Sequence, residues 1–248
     1  MGKIGLQLYS IKELTQKDFL GTLQQVASIG YDGVEFAGFF DTPAPQLRSV
    51  LNAYGLNARG SHTGINLLVK DLEGVIEYNL EIGNPYVICP GLSEEMRNSS
   101  DAWKETAELF NNIGSKCKKN GIQFGYHNHA IEFEKFNGEY GYDILAENTD
   151  PNLVCLEIDT YWVEYAGLKS IDFMKKYSNR LPLLHIKELK SFSEKESTEI
   201  GKGVMNFKEI TDLGKKYGTE WYIVEQEHFD IPQLQSIEES LKYLRGII

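Results

Sequence analysis

The feature that most constrains the fold is a repeated order of a helical stretch, a glycine and a short apolar run. This order occurs at Gly30 (then GVEF), Gly55 (LNARG), Gly83 (YVICP), Gly121 (IQFGY) and Gly218 (EWYIVE). A glycine just past a helix end supplies the left-handed residue that closes the helix before a strand begins. Strands that alternate with helices in this way are typical of parallel βα units. The sequence therefore predicts an α/β protein with a parallel sheet.

Eight strands can be placed along the chain, and an amphipathic helical stretch follows each of them. Their predicted bounds are 4–9, 33–36, 57–62, 86–89, 122–128, 153–159, 183–187 and 221–225. An open doubly wound sheet usually has a glycine-rich phosphate turn after its first strand, whereas this chain reads QLYSIKEL there. The 248 residues match the length of roughly 250 that is usual for a (β/α)₈ barrel. No linker interrupts the pattern, so a single TIM-barrel domain over residues 1–248 is predicted.

The charge balance disfavours several classes of partner. Lysine and arginine total 25 against 36 acidic residues, a formal net charge of −11, and this field repels a phosphate backbone or an anionic membrane. The Gly201-Lys202-Gly203 turn is more typical of a tight loop than of a phosphate cradle. No apolar run is long enough for a signal peptide or a membrane span. We expect no nucleic-acid or membrane partner, and the oligomeric state stays open, with a homo-oligomer as one option.

The three cysteines predict the compartment. Cys89, Cys117 and Cys155 are odd in number, widely spaced and form no CxxC pair. They are typical of small buried apolar residues in a reducing environment rather than of a disulfide framework. We therefore expect a cytoplasmic protein.

The five histidines lie at or near predicted strand ends. His62 closes the third strand, His127 and His129 close the fifth, His185 lies in the seventh and His228 follows the eighth. In (β/α)₈ barrels the catalytic groups come from the C-terminal ends of the strands and the loops that follow them. This placement predicts a polar site at that end of the barrel.

Carboxylates occupy matching positions on neighbouring strands. Asp159, His185 and Glu225 would present a carboxylate, an imidazole and a carboxylate from strands six, seven and eight. Mixed nitrogen and oxygen donors suit Mn²⁺, Co²⁺, Zn²⁺ or Mg²⁺, so we expect one divalent metal ion. Glu157 lies on the same face one layer deeper, because residues two apart on a strand share a face. We expect it to form a buried ion pair with Lys187, since an unpaired buried charge is costly.

Six segments in order resemble one known family. They are IGLQLYS at the start, GYDGVEFAG at strand two, GYHNHAIEF at strand five, LEIDTYWVEYAG at strand six, LLHIKE at strand seven and YIVEQE at strand eight. With them the chain resembles the xylose-isomerase-like TIM-barrel superfamily of sugar isomerases and epimerases, and within it a subgroup with a Tyr-His-Asn-His signature. That superfamily also holds inosose dehydratases and metal-dependent apurinic endonucleases.

The resemblance implies one divalent ion held by strand-end Glu, Asp, His and Glu, and Asp159, His185 and Glu225 match three of these positions. Many members carry glutamate where this chain has His127, which leaves the fourth ligand open among His127, His129 and Glu132. We favour Glu132 because it restores the number of carboxylates. Trp162 is a second departure, since epimerase relatives often have histidine there. The set expected around the substrate is Glu35, His62, His127 and Trp162, with an internal ion pair or core role as the alternative for Glu35 and His62.

The resemblance also implies an activity. An ion of this kind polarises the carbonyl of a keto-sugar and stabilises the enediolate that forms when the adjacent C–H is deprotonated. Glu225 or Glu132 would be the base, with His129 and Lys187 as acid or enediolate partners. The expected outcome is isomerisation or epimerisation of a sugar or sugar-like polyol, and loss of a β-hydroxyl, as in inosose dehydratases, is the alternative. Phosphodiester cleavage, which the net charge disfavours, and a non-catalytic sugar-binding barrel are the alternatives of other classes.

Overall fold

Eight parallel strands close into a barrel in the order in which they occur along the chain. The structure is a computed structural model that describes residues 2–248. The strands are β1 (Lys3–Gln7), β2 (Gly33–Phe36), β3 (Asn57–His62), β4 (Tyr86–Cys89), β5 (Gln123–His127), β6 (Val154–Asp159), β7 (Leu183–Ile186) and β8 (Trp221–Val224). Each strand pairs in parallel with its neighbours, and β8 closes the barrel on β1. The predicted (β/α)₈ TIM barrel is confirmed.

Helices surround the barrel. They are α1 (Lys12–Lys17), α2 (Phe19–Ile29), α3 (Ala44–Tyr54), α4 (Ile65–Lys70), α5 (Leu72–Glu81), α6 (Ser100–Lys119), α7 (Gly141–Asn148), α8 (Thr160–Tyr165), α9 (Ser170–Lys176), α10 (Phe207–Tyr217) and α11 (Gln233–Arg245). Two small hairpins, 135–140 and 188–198, follow β5 and β7. No helix within residues 2–248 is long and apolar enough to cross a membrane.

Helix α6 shows how the sequence forms the outer layer. Ser99 caps its first turn by accepting a hydrogen bond from the backbone N–H of Ala102, which satisfies one of the free donors at a helix start. Its buried stripe contains Trp103, Phe110 and Cys117, all on the face that helical periodicity turns inward. Burial of such large side chains stabilises the fold by about 1.5–3 kcal/mol each. The amphipathic pattern therefore attaches α6 to the barrel.

The interior of the barrel changes from apolar to polar along the strands. Its N-terminal end is filled by the cluster Tyr86, Ile88, Cys155, Leu183, Trp221 and Ile223. The next positions on the same face of β6 and β7 are Glu157 and His185, because side chains alternate along a strand. Both are completely buried. A buried polar layer thus lies directly next to the apolar layer, on its C-terminal side.

The first strand is shorter than predicted, because it ends at Gln7 and a 3₁₀ turn over Leu8–Ile11 follows. The side-chain oxygen of Gln7 accepts a hydrogen bond of 3.0 Å from the backbone N–H of Tyr9. A side chain that binds its own backbone two residues on favours a turn over a continued strand. The turn places Tyr9 at the mouth of the barrel.

A bulge in β3 turns His62 into the barrel. Val34 pairs with Ala58 and Phe36 with Ser61, so one residue of β2, Glu35, lies opposite two residues of β3, Arg59 and Gly60. Gly60 has a φ of 145°. An extra residue reverses the alternation of faces beyond it. Ser61 accordingly points outward and donates to Asn79 of α5, whereas His62 reaches Glu157 across the interior.

Replacing Gly60 with alanine is expected to lower the free energy of unfolding by about 1–3 kcal/mol, because L residues are strained at this φ. A Cβ there would also collide with the Glu35 carboxylate. The urea midpoint measures the loss. Gly91→Ala is the matched control, since a Cβ at Gly91 meets no atom within 4 Å. Equal midpoints for the two variants would contradict the strain argument.

Candidate metal centre and its cavity

Strand pairing brings the predicted polar residues to one level of the barrel. Asp159 pairs with His185 in the β6–β7 register, and His185 pairs with Ile223, two residues before Glu225. His127 pairs with Glu157, two residues before Asp159. The side chains of strands five to eight therefore converge at the C-terminal end, as the sequence predicts.

Four of these side chains form a compact group of nitrogen and oxygen donors. His127, Asp159, His185 and Glu225 each offer one atom within 4.8 Å of the others. His185 Nδ1 lies 2.9 Å from Glu225 Oε2 and 3.8 Å from Asp159 Oδ2. His127 Nε2 lies 3.5 Å from the same Asp159 oxygen. All four residues are buried.

The donor atoms fit a divalent cation. Within residues 2–248, both ring nitrogens of His127 and Asp159 Oδ2 are buried without a hydrogen-bond partner, an arrangement that is costly unless something else binds them. The other oxygen of Asp159 accepts the backbone N–H groups of Tyr161 and Trp162 at the start of α8. This cap fixes the carboxylate and turns Oδ2 toward His127 and His185. Two imidazoles with two carboxylates suit the Mn²⁺, Co²⁺ and Zn²⁺ class of ion.

Glu132 lies outside this group. Its Oε1 accepts a hydrogen bond of 2.6 Å from Tyr126 Oη, and its Oε2 accepts one of 2.8 Å from the backbone N–H of His129. Burial raises the pKa of this carboxyl group. Both oxygens of Glu132 are thus hydrogen-bonded to groups in and just after β5, whereas His127 Nε2 lies 3.5 Å from Asp159 Oδ2.

A second layer of charged residues lies around His185 Nε2. Glu35 Oε2 is 2.6 Å from this nitrogen and 3.1 Å from His62 Nε2. Glu157 Oε2 is also 3.1 Å from His62 Nε2 and is 3.4 Å from His185 Nε2. The expected ion pair between Glu157 and Lys187 is therefore wrong, because Glu157 contacts histidines while the ammonium group of Lys187 contacts Glu225 and Glu227, which follow β8. The internal pairing considered for Glu35 is present.

The charges in this layer shift the pKa values of its members. Burial alone would raise the pKa of Glu35, but His62 and His185 hold it well below its usual range. Burial, together with repulsion from Glu35, raises the pKa of Glu157 to about 7. Burial opposes the charged form of His62, yet the two carboxylates raise its pKa to about 10. The two carboxylates therefore favour the protonated form of His62.

Lys187 supports Glu225 from the other side. Its ammonium nitrogen lies 3.4 Å from Glu225 Oε1, also contacts Glu227, and is 4.9 Å and 4.8 Å from the ring centroids of Tyr161 and Trp162. Burial would lower the pKa of Lys187, but the surrounding carboxylates raise it above its usual value. Lys187 is thus a buried cation that holds Glu225 in place.

A cavity of about 450 Å³ opens above the donor group. It is lined by Tyr9, Ala37, His62, Pro90, His127, His129, Trp162, Glu225 and Glu227. Its volume lies in the range of small-molecule sites. The residues predicted for the site that do not line this cavity are Glu35, Glu132, Asp159, His185 and Lys187.

His129 has a different environment from His62. Its ring lies 5.3 Å from that of Trp162, and neither ring nitrogen is hydrogen-bonded within residues 2–248. Burial lowers the pKa of His129 to about 4, so the imidazole is neutral near pH 7. The cavity wall thus presents one neutral and one protonated imidazole.

Two residues of the site were missing from the sequence interpretation. Gln7 donates a hydrogen bond of 2.7 Å from Nε2 to Glu35 Oε2, and its register with Glu35 across β1 and β2 places both at one level. The sequence signal that could have identified Gln7 is its position as a polar residue between two apolar ones, Leu6 and Leu8. Gly60 leaves the space that the Glu35 carboxylate fills, and nothing in a single sequence reveals that bulge.

A closed (β/α)₈ barrel with converging imidazoles and carboxylates at the C-terminal ends of its strands defines a TIM barrel with a candidate metal centre at its mouth. The family model described as "Xylose isomerase-like TIM barrel" matches residues 23–247. The chain belongs to this family, as the resemblance predicts.

Similar proteins include inosose dehydratases and a sugar phosphate isomerase/epimerase. An inosose dehydratase of Geobacillus kaustophilus is 25% identical over 190 residues, which cover 68% of this chain and 61% of the relative. Inosose dehydratase 2 of Bacillus cereus is 27% identical over 249 residues, with 86% and 83% covered. Four inosose dehydratases from Geobacillus and Clostridium species are matched over 30% to 61% of their lengths. A crystal structure of a sugar phosphate isomerase/epimerase from Parabacteroides distasonis superposes with a TM-score of 0.85 at 29% identity, covering 99% of this chain and 94% of that chain.

Proposed function

We propose that this protein is a divalent-metal-dependent enzyme that removes the proton next to the carbonyl of a keto-polyol and eliminates a β-hydroxyl as water. The observation that carries this proposal is the convergence of His127, Asp159, His185 and Glu225 beneath a polar cavity. The names of the inosose dehydratase relatives support elimination as the outcome. The proposal makes His127, rather than Glu132, the fourth ligand, because both oxygens of Glu132 are engaged elsewhere.

An ion held by these four residues would polarise the substrate carbonyl and so acidify the adjacent C–H bond. His129 would accept that proton, since it lines the cavity as a neutral imidazole. Glu225 is the alternative base. A general base needs a free lone pair within reach of the substrate, and His129 has both a nitrogen without a hydrogen-bond partner in residues 2–248 and access to the cavity.

His62 would donate the second proton. Its Nε2 is bound to Glu35 and Glu157, which leaves Nδ1 as the ring nitrogen without a partner in residues 2–248. As the C–H electron pair forms the new C=C bond, the β C–O bond breaks and the hydroxyl leaves as water with the proton from His62. One proton is taken up by His129 and one is released by His62, so the step balances.

The cavity favours a substrate without a phosphate group. No lysine or arginine of the described residues lines it. The Gly201-Lys202-Gly203 loop is occupied by the chain's own carboxylate, because Glu188 accepts the backbone N–H groups of Gly201 and Met205 at 3.0 Å each. Lys202 pairs with Glu239 at 2.6 Å. An uncharged keto-polyol therefore suits this site better than a sugar phosphate.

Isomerisation or epimerisation is the second candidate. The name of the Parabacteroides structure favours it, and the same proton abstraction begins that reaction. Return of a proton to a different carbon or face would then replace loss of the hydroxyl. The two outcomes differ in whether water leaves.

Incubation with an unphosphorylated inosose in D₂O tests the proposal. We expect a product one water lighter by mass spectrometry, formed after loading with Mn²⁺ or Co²⁺. Deuterium in a product of unchanged composition would assign isomerase or epimerase activity instead. If neither elimination nor exchange occurs across a panel of keto-polyols with the loaded protein, the proposed chemistry is wrong. A tenfold molar excess of inorganic phosphate serves as a control and should not inhibit.

A further inference from the structure

His185 takes part in two groups that could each hold a cation. Its Nδ1 faces the proposed centre, and its Nε2 faces Glu35, His62 and Glu157, whose donor atoms also lie within 4.8 Å of one another. The second group could either bind its own ion or act as a support for His185. The hydrogen bonds around Glu35 distinguish these two roles.

The side chain of Gln7 has a defined orientation. Its Oε1 accepts the backbone N–H of Tyr9, and a backbone N–H is always a donor. The other end of the amide is therefore the NH₂ group, which donates to Glu35 Oε2. This assignment does not depend on the similar appearance of amide nitrogen and oxygen.

Glu35 Oε2 is consequently surrounded by donors. It lies 2.7 Å from Gln7 Nε2, 2.6 Å from His185 Nε2 and 3.1 Å from His62 Nε2. Gln7 and His185 form hydrogen bonds with this oxygen, and the His62 ring, whose Nε2 is hydrogen-bonded to Glu157, lies in contact with it. While His185 Nε2 donates to Glu35, this nitrogen has no free lone pair for a cation, although Glu35 Oε1 has no hydrogen-bond partner within residues 2–248. The carboxylate is also held in place by packing, since it fills the space that the missing Cβ of Gly60 leaves.

We propose that Glu35 is a positioning residue that accepts the Nε2–H of His185 and thereby leaves His185 Nδ1 free to bind the ion. Gln7 and Gly60 hold the Glu35 carboxylate for this task, and the group beneath His185 binds no ion of its own. A carboxylate on the remote ring nitrogen of a metal-binding histidine fixes the ring and its tautomer. The inference rests on the proposed metal centre.

Glu35→Gln tests the proposal through ion binding rather than turnover. We expect the dissociation constant for Zn²⁺, measured by chelator competition, to rise about 10- to 100-fold, as for loss of other groups that orient a metal-binding histidine. The absorption spectrum of bound Co²⁺ should change as well, because the imidazole is no longer fixed. Glu35→Asp keeps the charge but moves the carboxylate away from His185, so its dissociation constant for Zn²⁺ should also rise. This second variant tests the proposal if Glu35→Gln does not fold.

Glu188→Gln is the matched control. Glu188 is equally buried and also accepts two hydrogen bonds, but from the Gly201–Met205 loop. It should lose stability without a change in ion affinity. Two ions per wild-type chain, one of which is lost in Glu35→Gln, would overturn the proposal and make the lower group a metal site. Unchanged affinity in both Glu35 variants would reduce Glu35 to a structural role. A wild-type chain that binds no ion would overturn the metal centre itself.

Discussion

Asp159→Asn should abolish turnover and weaken ion binding. The loss of affinity should exceed the roughly 100-fold expected when a residue that only orients a metal ligand is removed. The substitution keeps an oxygen that can cap α8 through the N–H groups of Tyr161 and Trp162. It removes the negative charge at Oδ2, the atom that faces His127 and His185 without a hydrogen-bond partner among residues 2–248. Because asparagine and aspartate cap helices about equally well, the fold should persist. Plasma mass spectrometry on protein purified without chelator or affinity nickel measures the bound ion.

Asp18→Asn makes the same chemical change at the start of another helix. Asp18 caps α2 by accepting the N–H of Gly21 at an exposed position. This variant should keep the wild-type ion content and activity. About one ion per chain in the wild type, lost in Asp159→Asn and kept in Asp18→Asn, is the expected result. A wild-type chain that stays empty after Mn²⁺, Co²⁺, Zn²⁺ and Mg²⁺ are offered would contradict the metal centre.

The fold was predictable because its signals are local. Gly30, Gly55 and Gly218 each take the left-handed conformation at a helix end. The glycines from which the sequence predicts helix ends are therefore located at helix ends in the structure. Strand alternation then placed Asp159 and His185 on one face at the barrel mouth. These inferences need only the period of a strand and the position of its end, which a single sequence contains.

Two features of the site that the sequence does not specify are the heights of side chains in the barrel and the geometry of the loops. Ile158 pairs with Leu184, so Glu157 is level with Leu183, and Lys187 lies two same-face positions higher. The relative heights of neighbouring strands decide which charged side chains come into contact, and no local sequence pattern specifies these heights. Glu132 lies in a 3₁₀ turn over Ile131–Phe133 that directs its carboxylate back to Tyr126 and the His129 backbone. A loop side chain of this kind has no fixed direction until the turn is known.

His129→Asn should reduce kcat by about 10²- to 10⁴-fold, the usual contribution of a general base, while the ion content stays at the wild-type level. The backbone N–H of His129, and not its side chain, binds Glu132, so the turn after β5 should survive. His228→Asn is the matched control, because His228 is exposed and does not line the cavity. Steady-state kinetics with an inosose measures the loss.

Deuterium exchange separates the roles that His129 could have. If His129 is the base, its asparagine variant should lose exchange of the substrate C–H in D₂O but still bind the ion, since asparagine cannot accept the proton at neutral pH. Loss of the ion would make His129 a ligand, one of the options that the sequence left open. Full exchange in the variant would move the base to Glu225, whose carboxylate already lies at the cavity wall beside Lys187.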